Sequence, residues 1–250
     1  RFYIRGEIKK KNERQVAEIA ARTEKYLKEN SIYKGKAIRV GFDWLREQRD
    51  FNWQTDSPKF IDVSKTNEDQ LIFAKEIMNL LNVGLFAPIK SAKSFRKYGI
   101  PLKRGVLLTG PYGCGKTLTA YVTAKLCEDN GFTFLYLKDV RDLPLAFKFA
   151  KLYSPCVIFA EDVDISTNGP RDPKLNELLN VIDGVDYKDA EIITILTTNH
   201  AENINKAFLR PGRIDTVIPV LPPDQEAAAR LIRLYGGDLL APGADIPPAA

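Results

Sequence analysis

Apolar residues recur at three- and four-residue steps from about Glu7 to Asn30, through Ile8, Val16, Ile19, Ala20, Tyr26 and Leu27, and this spacing predicts one amphipathic helix. Alternation then takes over. Ile38, Val40 and Phe42 interleave with Arg39 and Gly41 in a short strand pattern, and a second strand-like run follows Pro58 at Lys59 to Val63. Trp44 and Trp53 lie in the polar stretch between these runs and read as a small packed cluster rather than a ligand platform. Residues 1–64 are therefore expected to form an α+β prefix. A new helix is announced at Thr66, with Asp69 three positions on in capping-box spacing. Its apolar stripe runs through Leu71, Ala74, Ile77, Met78 and Leu81 before a break near Gly84.

From Gly105 onward the pattern changes. Five apolar runs, GVLLT, FTFLYL, CVIFA, IITILTT and TVIPV, are spaced by 20 to 40 residues with helical stretches between them. Runs that are apolar on both faces belong in a parallel sheet covered by helices, which makes the class α/β. The expected division is a prefix over 1–64, a large α/β domain over 65–222, and a C-terminal segment over 223–250. That last segment reads as a helix followed by a Pro/Ala-rich tail.

Composition narrows the class without deciding it. The 250 residues are 44% hydrophobic and 28% charged, the mix of a folded chain rather than a disordered one. Three cysteines, Cys114, Cys127 and Cys156, lack metal-ligand spacing, and His200 is the only histidine, which argues against a disulfide scaffold or a zinc enzyme. No run approaches the roughly 18 apolar residues of a membrane span, and the start has no signal core, so the expected location is cytoplasmic. The chain opens on Arg1 with Met78 its only methionine, as a trimmed sequence would. Residues 1–50 hold 14 Lys and Arg against 8 Asp and Glu, a net +6, while the whole chain is +5. The basic excess is thus N-terminal, but Glu7, Glu13, Glu18, Glu24 and Glu29 are interleaved with it, as on a solvated helix face.

The strongest chemical signal is GPYGCGKT, Gly110 to Thr117, which fits G-x-x-x-x-G-K-[ST] between an apolar run and the helical stretch Leu118 to Cys127. Gly110, Gly113 and Gly115 let the backbone curl so that its N–H groups face phosphate oxygens, and the following helix adds its positive end. Pro111, Tyr112, Cys114 and Leu118 complete the nucleotide-binding stretch. Lys116 is suited to neutralising β/γ-phosphate charge, and Thr117 offers a hydroxyl to Mg²⁺.

Three further motifs follow in order. CVIFAEDVD, Cys156 to Asp164, is an apolar strand ending in carboxylates, where a parallel sheet meets a metal. IITILTTNH ends a buried strand on Asn199, placed to orient water against a γ-phosphate. LRPGRID, Leu209 to Asp215, presents Arg210 and Arg213 on a short Pro-Gly turn, the shape of an arginine finger.

Together these motifs resemble the AAA family of P-loop ATPases over about residues 66–225. The resemblance rests on FRKYGIPLKRGVLLTGPYGCGKT, SPCVIFAEDVD, LNELLNVIDGV and ILTTNH…AFLRPGRID. It implies a parallel sheet of order 5-1-4-3-2, a helical lid, ATP and Mg²⁺ as ligands, and a ring of subunits, commonly six. By the same resemblance Asn199 senses the γ-phosphate, and Arg210 and Arg213 reach into a neighbour's site. The family strand normally ends Asp-Glu, and here the order is Glu161-Asp162. Glu161 accordingly takes the Mg²⁺ side with Thr117, and Asp162 the water-activating role. The family's aromatic pore loop is also replaced, because Leu135 to Phe147 passes directly from strand to helix, and Tyr136 reads as a strand residue.

The expected function is therefore ATP hydrolysis by a ring-forming ATPase that remodels a macromolecular client, a protein first of all. Two alternatives stay open. One is an ATP-gated assembly scaffold with little turnover at Glu161-Asp162. The other is a nucleic-acid motor or loader that uses the basic prefix, with binding that collapses as salt rises.

Overall fold

The computed structural model describes residues 12–161, 182, 190–200 and 212–236. Helix α1 (Glu13–Asn30) leads into strand β1 (Ala37–Val40), and the short helices α2 (Asp43–Arg46) and α3 (Trp53–Asp56) lead to strand β2 (Lys59–Phe60). Helices α4 (Lys75–Leu81), α5 (Ala87–Lys90) and α6 (Ala92–Lys97) precede β3 (Arg104–Thr109). Strands and helices then follow as α7 (Lys116–Asp129), β4 (Thr133–Leu137), α8 (Leu143–Leu152), β5 (Cys156–Ala160), β6 (Ile192–Thr198), β7 (Thr216–Pro219) and α9 (Gln225–Gly236).

The strands form one sheet of order β2-β1-β4-β5-β6-β3-β7, parallel throughout except between β1 and β2. Counted from β3, the segment β7-β3-β6-β5-β4 has the expected 5-1-4-3-2 order. The prefix extends it: Ala37 to Val40 pair in parallel with Phe134 to Leu137, so the first section adds two strands to the sheet edge. Burying both faces explains the unbroken apolar runs. Val106, Leu108, Phe134, Val157, Phe159 and Ile195 enter one core layer with α4 and α7, and Leu107, Leu135, Ile158, Ala160 and Leu196 enter the other with α8. This period of two also sets which residues beyond each strand end can meet.

Local expectations are corrected in two places. The helix start expected at Thr66 and Asp69 is instead a 3-10 turn over Glu68–Gln70. Asn67 and Gln70 close it in a reciprocal capping box, and Leu71 and Phe73 then dip into the core before α4 begins at Lys75. The break expected at Gly84 is a π-helical turn over Asn82–Phe86 that carries the helix onward into α5. Gly84 permits this by close approach, since a Cβ there would lie 2.9 Å from Thr216 Cγ2. Trp44, Phe51 and Trp53 do pack edge to face, with centroids 5.0 and 4.9 Å apart. Among the described residues no helix is long and apolar enough to cross a membrane.

Candidate functional site

The loop between β3 and α7 takes its shape from three glycines. Gly110, Gly113 and Gly115 have φ of +151°, +77° and +101°, values that side chains rarely adopt. Space forbids substitution at two of them as well. A Cβ on Gly110 would lie 2.0 Å from the Val220 carbonyl oxygen, and one on Gly115 would press on the Phe73 ring at 3.1 Å. Gly110 N–H donates to Thr198 O at 3.2 Å, which pins the loop start to the end of β6. Gly115 at the N-cap of α7 offers no side chain to its first-turn N–H groups, which suits a helix start that meets an anion.

Lys116 is buried, and its ammonium donates to the carbonyls of Gly110 and Pro111, both at 2.7 Å. A buried charge requires such partners, and the pair of carbonyls keeps the cation inside the loop's curl. Tyr112 projects outward, 71% exposed, with Lys116 Nζ 6.0 Å from its ring. Cys114 is half-buried and reduced, and Leu118 continues the first turn of α7.

Thr117 turns the loop toward the carboxylates. Its hydroxyl donates to Glu161 Oε1 at 2.5 Å, so the residue that follows β5 meets the residue that opens α7. The other oxygen, Glu161 Oε2, accepts a hydrogen bond from the Tyr136 hydroxyl. Burial, with the bond to Glu161 second, holds the Tyr136 phenol above its ordinary value, and it stays protonated as a donor. Sheet register explains the meeting: Tyr136 pairs with Phe159, and Glu161 lies two residues beyond, on the same face. A hydroxyl and a carboxylate are the hard oxygen donors that Mg²⁺ accepts while keeping several waters, so the residues present fit that ion.

Asn199 follows the C-terminal end of β6 beside the loop. Arg213 is elsewhere. Its carbonyl sits against Gly105 near the start of β3, and Asp215 fastens this turn by accepting Gly105 N–H at 2.9 Å and Gly212 N–H at 3.0 Å. Five residue steps of strand separate Gly105 from Gly110, roughly 17 Å. The structure thus gathers Gly110–Thr117, Glu161 and Asn199 at the C-terminal ends of the strands and sets the Arg213 backbone near the N-terminal end of β3. Asp162 and Arg210 lie outside the described residues. Tyr136, Phe73 and Asp215 are contacts that the sequence reading missed. None of the three carried a local signal, because each contact is made by pairing or packing between distant segments.

A glycine loop opening a helix, with a carboxylate one strand away on a 5-1-4-3-2 parallel sheet, defines a P-loop nucleoside-triphosphatase fold. Residues 106–221 match the family described as ATPase family associated with various cellular activities (AAA), and this segment is an AAA domain. It is 33% identical over 179 residues to the ATP-dependent zinc metalloprotease FtsH of Lancefieldella parvula, covering 63% of this chain and 27% of that protein. With the ATPase family gene 2 protein of Saccharomyces cerevisiae it shares 30% over 192 residues, 70% of this chain and 24% of that one. With the proteasome-activating nucleotidase of Methanococcus maripaludis it shares 31% over 215 residues, 76% of this chain and 49% of the relative. The chain therefore spans half or less of the length of these relatives.

Proposed function

We propose that this chain binds Mg·ATP at Gly110–Thr117 and hydrolyses it as a subunit of a homo-oligomeric ring, a hexamer in the simplest case, that remodels a protein client. The observation that carries this reading is the bond from Thr117 to Glu161, which closes the phosphate loop onto the acidic strand end. In this reading backbone N–H groups of the loop bind the triphosphate, and Lys116 exchanges its two carbonyl partners for phosphate oxygens. Thr117 and Glu161 hold the cation, which when bound neutralises phosphate charge. Asp162 takes the proton of the attacking water, and Asn199 orients that water.

The position of Arg213 supports a shared site. The Arg213 backbone lies at Gly105, roughly 17 Å of strand from the loop of its own chain, and in this reading its guanidinium serves the site of a neighbour. Arg210 and Arg213 would then stabilise the charge that develops on the transferred phosphate, a contribution worth about 10³ to 10⁵ in rate. Conformational work follows if the client is gripped differently in the two nucleotide states. The names of two relatives, one ATP-dependent and one proteasome-activating, support a protein as the client.

Mixing two inactive variants tests the shared site. Lys116→Ala and Arg213→Ala are each expected to lose about 10³-fold or more in phosphate release. An equimolar mixture should recover part of the wild-type rate, because a Lys116→Ala subunit still lends its arginine to an intact loop next door. A mixture as inert as its components, formed from subunits that co-assemble, contradicts the reading. Rings that form with ATP while wild type releases no phosphate would favour the scaffold instead.

A further inference from the structure

Glutamate at position 161 has one more rotatable bond than aspartate, so a carboxylate there needs something to fix its direction. Two hydroxyls do so from opposite sides. Thr117 donates to Oε1, and Tyr136 donates to Oε2. The ring of Tyr136 is itself held. Arg39 on β1 pairs directly with Tyr136 on β4, and its guanidinium carbon lies 4.8 Å from the ring centroid. Arg39 Nε is buried without a hydrogen-bond partner among the described residues, and the guanidinium packs on the face of the ring. On its other side the ring leans on Phe159, with centroids 5.3 Å apart. The result is a continuous line across the sheet, from β1 through β4 and β5 to the first turn of α7.

We propose that Tyr136 is a positioning residue for the cation site: its phenol holds one oxygen of Glu161 so that the other remains with Thr117, and Arg39 steadies the ring. This rests on the Mg·ATP reading above and adds to it a residue that acts through Glu161 without touching nucleotide. It also gives glutamate a reason to stand at this position, since the longer side chain reaches two partners on neighbouring elements. Partners of metal-site ligands are worth about 10- to 100-fold in metal affinity when removed, and loss of one phenol oxygen should fall at the low end.

The test is a Mg²⁺ titration of the full chain with a fluorescent ATP analogue, read as anisotropy, and repeated in EDTA. Lys116→Ala serves as the control for the underlying reading. Tyr136→Phe, which keeps the ring, is expected to raise the half-saturating Mg²⁺ concentration by about 10-fold. Its nucleotide affinity in EDTA should stay within about twofold of wild type, a split that general damage to the fold would not produce. In a Glu161→Gln background the carboxylate is gone, and Tyr136→Phe should add less than about twofold. An unchanged Mg²⁺ requirement in Tyr136→Phe overturns the proposal. An equal 10-fold effect in the Glu161→Gln background also overturns it, because the phenol would then act through another group. If wild type and Lys116→Ala alike fail to bind the analogue, the Mg·ATP reading itself fails, and this proposal falls with it.

Discussion

The carbonyl oxygen of Arg213 lies 1.7 Å from the point where a Cβ on Gly105 would stand. The arginine turn is therefore seated directly on the backbone of the strand that ends in the phosphate loop. Gly105→Ala must push the turn or the strand away, and is expected to cost about 3 kcal/mol, as overpacking against backbone does. Urea unfolding followed by far-UV circular dichroism checks this. A midpoint equal to wild type would mean that the turn yields freely and that its position near the start of β3 carries no constraint.

Lys116 is the only lysine within the glycine loop, and it is already desolvated by its two carbonyl partners. Lys116→Ala should weaken binding of a fluorescent ATP analogue by about 10- to 100-fold, the range for hydrogen bonds made by a charged donor. Thermal unfolding of the unliganded variant should change much less than binding does.

Arg230 on α9 donates to the backbone carbonyl of Phe73 at 2.8 Å, and the Phe73 ring is what a side chain at Gly115 would strike. One residue thus stands between the C-terminal helix and the phosphate loop. Arg230→Ala is expected to speed nucleotide release by about 3- to 10-fold, the worth of one hydrogen bond. Stopped-flow displacement of a labelled nucleotide measures it, and an unchanged rate would show that α9 does not bear on the loop.

Acid should loosen the first section of the chain. Both terminal nitrogens of Arg49 donate to Asp56, at 2.7 and 2.8 Å, and hold its carboxyl well below the usual carboxylate range. A depressed value in the folded state stabilises the fold fully above the unfolded value near ~3.9, and that stability is lost as pH falls through the folded value. Asp139, held by Arg141 and Arg46, acts with the same sign. The unfolding midpoint should therefore drop between about pH 5 and pH 2, and Asp56→Asn should make that drop shallower while lowering the midpoint at neutral pH. Parallel profiles for the two proteins would contradict this assignment.

The sheet was legible because parallel strands covered on both faces read as near-continuous apolar or β-branched runs, as in CVIFA and IITILTT, and the loop was legible because positive φ favours glycine. Pairing between distant segments left no such local trace. Nothing in AIRV announces that it adds to the β4 edge, since a four-residue alternation suits many partners. Tyr136 looked like an ordinary strand residue for the same reason: its role comes from register with β5, which brings Glu161 into reach. At Gly84 composition suggested a stop, but tertiary packing against Thr216 uses the missing side chain to let the helix pass. The Asn67 cap was hidden by a competing Thr66, and the choice between them was made by burial of Leu71 and Phe73 further on.

Steady-state phosphate release per subunit, measured with Mg·ATP over a wide range of protein concentration, weighs hydrolysis between neighbouring subunits. The expected result is a specific rate that climbs as subunits assemble and vanishes in Lys116→Ala and Asp162→Asn. Bound ATP with no release above the Lys116→Ala background at any concentration would contradict the ATPase reading outright.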